Sequence, residues 1–360
     1  MSFSINNRRY TGCKAKLTTW IHDTIVENCN DCNSFCDLFA GTGVVTNALV
    51  NEFGSFYIND FLYSNEIIYK AFFLKEDYSE EKIYSFYSRY TALDPSNVSP
   101  NFVSENYGGK FFSEKDALLI GEIREDIEFN KHKLNEKEYA ILLASLLYSA
   151  DRSSNTCGHY DAYIKNKNIR SSFRFELVEP IIKNQEDPRN IQISRIDSNK
   201  LASNITCDVV YIDPPYSSRQ YSRFYHVLET ITKWDKPKLF GEAIKPAPEN
   251  MSEYCKSKAL DAFKQLIYSL NAKYIVVSYN NTYDSKSSSS KNKMELEDIK
   301  QVMLKKGETK IYHMNHKPFN AGKTSLDNHQ EILFVTEVGV FRWLDRLCFM
   351  LVINTSLYHN

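Results

Sequence analysis

The sequence predicts an α/β protein with a mostly parallel sheet buried on both faces and a largely helical insertion. Three observations carry this expectation. Ser34 to Phe39, Phe56 to Ile58, Ile191 to Ile196, Asp208 to Ile212 and Tyr274 to Tyr279 are apolar runs separated by helical stretches, the pattern of strands covered on both sides. The first run ends in the turn Ala40-Gly41-Thr42-Gly43, after which Val44, Val45, Ala48, Leu49 and Phe53 recur at helical spacing. Between Asp60 and Ile191 the rhythm changes: Ser113 to Asn130 and Asn135 to Ser149 read as helices, and no core strand stands out.

A chain of 360 residues has room for two units of ~100–200 residues, or one large domain with an insertion. Its 42% hydrophobic and 25% charged residues fit a folded globular chain and exclude disordered and collagen-like classes. A net charge of −1 neither demands nor excludes a polyanionic partner, so any basic surface must be local. The first 17 residues lack the apolar centre of a secretory signal. Near the other end Leu347 to Ile353 is apolar, but Arg342, Asp345 and Arg346 precede it, and a span needs ~20 mostly apolar residues. The expectation is a cytoplasmic chain with no membrane segment, ending in a tail helix or strand over 339–360. Eight cysteines are too sparse for a disulfide framework. Cys29, Cys32 and Cys36 have no fourth ligand nearby and are expected to be small buried hydrophobes rather than a metal site.

In chain order, Phe56 to Ile58 closes on Asn59-Asp60, and Ile191 to Ile196 on Asp197. Ser113 with Asp116 suggests a capping box, and Asn292 with Glu295 a second, on a helix that Gly307 would end. Ser287 to Ser290, among Lys286, Lys291 and Lys293, reads as a polar loop. Thr309 to Met314 and Glu331 to Glu337 have no helix between them and predict an antiparallel edge pair. Residues 1–61 and 190–338 would then form the sheet domain and 62–189 an inserted second domain. Within the insertion, residues 152–174 carry Arg152, Lys165, Lys167, Arg170 and Arg174 against Asp161 alone, a local charge of +4. Tyr160, Tyr163, Phe173 and Phe175 are interleaved with these cations, a mixture suited to gripping phosphates and stacking bases, or simply to a solvated face over core aromatics.

Two motifs point to chemistry. Asp37-Leu38-Phe39-Ala40-Gly41-Thr42-Gly43 lets the backbone approach a ligand closely, and Asp60 follows at the distance from which a carboxylate reaches a ribose. The third position of a dinucleotide fingerprint is Thr46, not glycine, so a plain strand-to-helix turn stays open. Asp213-Pro214-Pro215-Tyr216 directly follows a strand that its prolines must end. Asp213 and the Pro214 carbonyl can accept hydrogen bonds from an amino group while Tyr216 stacks on a planar ring; a structural turn is the alternative. His226, beside Tyr225 and Leu228, reads as a packing histidine.

The combination of these two motifs resembles the S-adenosylmethionine-dependent amino-methyltransferases, and the whole is most similar to the Dam-like alpha group of DNA adenine methyltransferases. Tyr10-Thr11-Gly12-Cys13-Lys14 is similar to that group's N-terminal Y-x-G-x-K motif. Tyr107 to Phe112, Ser154 to Tyr160 and Ser218 to His226 look like the methyltransferases of type II restriction-modification systems. The resemblance covers about residues 8–338 and implies a Rossmann-like methyltransferase sheet with 62–189 as the target-recognition domain. It further implies that Tyr10 and Lys14 lie near the methionine end of S-adenosylmethionine, Asp37 and Phe39 to Gly43 beneath it, Asp60 at the ribose and Asp197 near the adenine. Asp213, Pro214 and Tyr216 would be catalytic, with Arg152, Lys165, Lys167, Arg170, Arg174 and Arg219 on double-stranded DNA, no metal, and a cognate restriction endonuclease as a functional partner. Carbon-5 cytosine methylation is excluded because it needs a Pro-Cys pair, and none of the ten prolines precedes a cysteine. A non-catalytic DNA-binding subunit, an RNA methyltransferase and an amino-cytosine methyltransferase are the alternatives.

Overall fold

The computed structural model describes residues 2–165, 168–281, 291–315 and 329–339. Lys167, the Ser287 to Ser290 loop and the apolar tail lie outside them. The strands are β1 (Ser34–Asp37), β2 (Ser55–Asn59), β3 (Asn190–Ser194), β4 (Thr206–Ile212), β5 (Asn271–Asn280), β6 (Gly307–Asn315) and β7 (Gln330–Val338). They form one sheet in the order β3-β2-β1-β4-β5-β7-β6. β1 to β5 are mutually parallel, and β7 runs antiparallel to both β5 and β6. The order reverses between β1 and β4, leaving a crevice at their carboxyl ends where open α/β sheets bind ligands.

Helices cover both faces. The first seven are α1 (Thr18–Asn28), α2 (Val44–Ala48), α3 (Tyr63–Phe73), α4 (Glu80–Thr91), α5 (Phe102–Tyr107), α6 (Glu114–Phe129) and α7 (Glu136–Ser153). They are followed by α8 (Ser198–Ala202), α9 (Tyr221–Phe224), α10 (His226–Lys233), α11 (Ala259–Ser269) and α12 (Leu296–Leu304). Successive strand side chains point to opposite faces, so β4 sends Val209 and Tyr211 into one core and Val210 and Ile212 into the other. The second core is closed by Phe263, Leu266 and Ile267 of α11 and Ile299, Val302 and Met303 of α12.

The first core continues without a break into the segment 62–189. Ile68 and Phe72 of α3, Ile120 and Ile127 of α6 and Leu142 and Leu146 of α7 share it with Phe35, Phe56 and Ile58 of the sheet. α7 is apolar around most of its circumference and accordingly buried along most of its length. Asn135 begins it by accepting the Glu138 N–H, while the Glu138 carboxylate accepts the Asn135 N–H.

Several expectations need correction. β1 ends at Asp37 and β3 at Ser194, because the chain must already be turning into the crevice at Phe39 and Ile196. The late antiparallel pair does form at one edge of the sheet, with β6 outermost and β7 inserted between β5 and β6, where its apolar run is buried. Gly307 opens β6 rather than ending a helix; a Cβ there would lie 1.9 Å from the Glu337 carbonyl oxygen, so only glycine permits this approach of the two strands. Ser113 caps α6, but Asp116 does not reciprocate: its carboxylate accepts the Ser171 hydroxyl and the Ser172 N–H. Asn292 does not cap α12 either; its amide donates to the Asn280 carbonyl.

Candidate active site

The glycine turn leaves β1 beside the end of β4, with Asp37 paired to Tyr211 in the sheet. Gly41 and Gly43 adopt left-handed φ values of +53° and +77°, which disfavour side chains. Gly43 is also pressed by packing, since a Cβ would stand 2.9 Å from Ile5 and 3.3 Å from Tyr69. Asp60, at the end of β2, braces the turn by accepting the Gly41 N–H at 3.0 Å and the Leu62 N–H at 2.9 Å. Asp37 accepts the Thr46 hydroxyl at 2.9 Å, and its second oxygen is buried without a partner among the described residues. Burial pushes the Asp37 carboxyl from 3.8 up to about 8, with Asp213 and Asp60 adding to the rise. Asp60 and Asp213 are raised as well, again chiefly by burial.

The N-terminal segment folds over this turn. The Tyr10 ring stacks on Tyr225 with centroids 4.5 Å apart, the Tyr225 hydroxyl accepts the Thr11 N–H at 2.7 Å, and the Arg8 guanidinium lies over both rings. Lys14 is thereby carried into the Asp213 turn. Its ammonium donates to Asp213 Oδ1 at 2.9 Å and to the Tyr216 oxygen at 2.8 Å. The Tyr216 hydroxyl also meets Asp213 Oδ1 and, from β7, Glu331 Oε1 at 2.8 Å. Its ring packs tilted against Tyr279 at 4.5 Å, and the Tyr216 carbonyl accepts the Lys293 N–H, which ties the turn to the segment before α12.

An open cleft joins the two motifs, and Tyr10, Lys14, Asp60, Asp197 and Asp213 all line it together with Asp37 and Phe39 to Thr42. Gly43 and Pro214 are buried next to lining residues in the chain, and the half-buried Tyr216 bonds to Asp213, which lines the cleft. Asp197 has a second task, accepting the Asn199 and Lys200 N–H groups as the N-cap of α8. Sequence reasoning missed Glu331, Ser278 and Gln220. Glu331 had a visible signal, a lone carboxylate opening the apolar run Ile332 to Val335, and Gln220 lies within the stretch Ser218 to His226 that carries part of the resemblance; Ser278 had none.

The candidate DNA contacts are scattered. Arg170 and Arg174 are exposed. Arg152 pairs with Glu176 at 2.8 Å and lies over Phe3, and Lys165 pairs with Glu242 at 2.6 Å. Arg219 lies over Phe224. Of the interleaved aromatics, Tyr160 and Phe175 are core residues and only Tyr163 and Phe173 are partly exposed. His226 is fully buried, pushed down to about 3 by burial, and donates from Nε2 to the Tyr160 carbonyl at 2.9 Å, so it packs as a neutral ring. Cys29 and Cys36 lie in opposite cores of the sheet, so the three thiols do not converge. No helix among the described residues is long and apolar enough to cross a membrane.

The chain is 35% identical over 76% of its length to the modification methylase LlaI of Lactococcus lactis subsp. lactis, and spans only 46% of that protein. It is 30% identical over 92% of its length to the type II methyltransferase M.CviAII of Paramecium bursaria Chlorella virus 1, covering 98% of it. To the type II methyltransferase M.NlaIII of Neisseria lactamica it is 28% identical over 89% of its length, covering 95% of that chain. A sequence model of one family matches residues 10–294, a span that holds the N-terminal lysine, the glycine turn and the Asp213 turn. The chain therefore belongs to the D12 class N6 adenine-specific DNA methyltransferases.

Proposed function

We propose that this protein transfers the methyl group of S-adenosylmethionine to the 6-amino group of an adenine in a short duplex DNA site, as the modifying partner of a restriction endonuclease. The observation that carries the reading is the junction of the glycine turn and the Asp213 turn in one cleft at the point where the strand order reverses.

The residues present fit the methyl donor. Three carboxyls, buried Asp37 and half-buried Asp60 and Asp213, line the cleft, and the raised Asp37 has an oxygen without a partner among the described residues that a cationic ligand would satisfy. Tyr10, Asp37 and Phe39 to Thr42 would hold S-adenosylmethionine, with Asp60 and Asp197 on its nucleoside. When bound, it supplies an electrophilic methyl.

The protein's own task is the amino group. Its lone pair is delocalised into the purine, and in a duplex the amino group is paired, so the base must leave the stack at a cost of a few kcal/mol. Asp213 and the Pro214 carbonyl accept the two amino hydrogens, localising the lone pair on nitrogen, and Tyr216 receives the ring. The nitrogen would then be free to take the methyl, and the amino proton it gives up would leave through Asp213 to water. Positioning and electrostatics supply the rate; no covalent enzyme intermediate is involved. Residues 62–189 are assigned to target recognition, supported by the exposed Arg170 and Arg174.

The test is single-molecule sequencing of genomic DNA from a methylation-deficient host expressing the chain. A short motif modified at adenine is the expected result; unmodified DNA with soluble, cofactor-binding protein would overturn the reading.

A further inference from the structure

Glu331 enters the active site from β7, a strand to which neither sequence motif belongs. Its side chain is only 4% exposed, and a carboxylate so buried is costly unless it is paired and hydrogen-bonded. Its Oε1 accepts the Ser278 hydroxyl at 2.9 Å and stands 3.2 Å from the Lys14 ammonium and 2.8 Å from the Tyr216 hydroxyl. Lys14 and Tyr216 in turn both meet Asp213, and both at Oδ1. The four side chains thus close a ring. The Lys14 ammonium has three protons for three acceptors: Asp213 Oδ1, Glu331 Oε1 and the Tyr216 oxygen. Tyr216 has a single proton and two carboxylates beside it. Two carboxylates around one ammonium leave the ring with a net negative charge.

We propose that Glu331 is a positioning residue for methyl transfer that acts through Lys14. This rests on the reading above that Asp213 accepts an amino hydrogen. Glu331 holds the ammonium where it fixes Oδ1 of Asp213, which reserves Oδ2 for the amino group. It also offsets the lysine charge. With Asp213 as its only counter-ion, Lys14 would withdraw electron density from the one carboxylate that must act as acceptor. The amino nitrogen becomes positive as its bond to carbon forms, and a net-negative ring stabilises that charge where a neutral one does not.

The test compares full-length wild type, Glu331→Gln, Lys14→Met and the double variant on a duplex carrying the methylated motif, by single-turnover rate, S-adenosylmethionine affinity and DNA affinity. Glutamine keeps the shape and the Oε1 acceptor but removes the charge. The expected result is a methyl-transfer rate about 10- to 100-fold lower, with both affinities within about twofold of wild type. In the Lys14→Met background the same change should cost less than about threefold, because the two residues act as one unit. A Glu331→Gln rate within twofold of wild type, or losses that simply multiply, overturns the proposal. Should Glu331→Gln fail to bind S-adenosylmethionine, Ser278→Ala loosens the same carboxylate: a severalfold slower rate at unchanged affinity supports the proposal, and an unchanged rate overturns it. Wild-type protein that methylates no DNA adenine overturns the underlying reading instead, so the two failures are distinct.

Discussion

Asp213 and Asp37 show how one cleft asks different things of two carboxyls. Asp213 carries an ammonium and a hydroxyl on one oxygen and faces the cleft, so its loss should remove the reaction and spare the donor site. Asp213→Ala is expected to cut methyl transfer by about 1,000-fold or more while S-adenosylmethionine still binds, as calorimetry and a radiolabelled-methyl assay would show. Asp37 has one hydroxyl donor and is otherwise desolvated, which raises its folded-state value from 3.8 to about 8. Between those two values the folded protein keeps a proton that the unfolded chain has released, so this group's contribution to stability falls as pH rises toward about 8 and is level above it. Asparagine cannot ionise. The melting temperature of Asp37→Asn relative to wild type should therefore be more favourable at pH 8.5 than at pH 5.5, and a pH-independent difference would remove Asp37 from that role. A cationic donor favours the ionised form, so its binding should release a proton near neutral pH.

Among the elements, β6 and β7 depend on close contact more than on strand propensity. The apolar run of β7 lies between β5 and β6, and Gly307 allows β6 to begin against the Glu337 carbonyl. Gly307→Ala must push the strands apart, and a loss of about 1–3 kcal/mol in urea unfolding is expected, the usual cost of overpacking. Since Glu331 sits on β7, the same change should slow methyl transfer in proportion to any shift of that strand. α6 does similar long-range work. Asp116 in its first turn holds Ser171 and Ser172, and so anchors the basic segment beside Arg170 and Arg174 to a rigid helix. α6 and α7 bury Ile120, Ile127, Leu142 and Leu146 in the same core as Phe35, Phe56 and Ile58 of the sheet.

At the level of the whole molecule, a net charge of −1 means that DNA affinity must come from a local surface. Arg170 and Arg174 are exposed, whereas Arg152 and Lys165 are ion-paired with Glu176 and Glu242, so the first pair is the better candidate for phosphates. Replacing both with glutamine should lower the slope of log affinity against log salt by ~0.9 for each phosphate that is no longer neutralised. An unchanged slope would place the DNA face elsewhere. The same double variant is expected to keep its affinity for S-adenosylmethionine, because neither arginine lines the cleft.

Much of this protein is local in origin and therefore readable along the chain. The glycine turn, the prolines that end β4 and the alternation of Val209, Val210, Tyr211 and Ile212 state where the sheet lies and where its ligand edge is, because backbone sterics and two-residue periodicity act over a few positions. Asp37, Asp60 and Asp213 were legible for the same reason: each closes a strand. What the chain could not state was which distant residues share a space. Glu331 and Lys14 are 317 positions apart and meet only because β7 inserts beside β5 while the N-terminal segment folds back over the glycine turn. Asp116 had the spacing of a capping residue, yet a loop far along the chain captured its carboxylate. Local stereochemistry determined the elements and the two motifs; only the packing of the whole sheet decided which charges face one another in the active site.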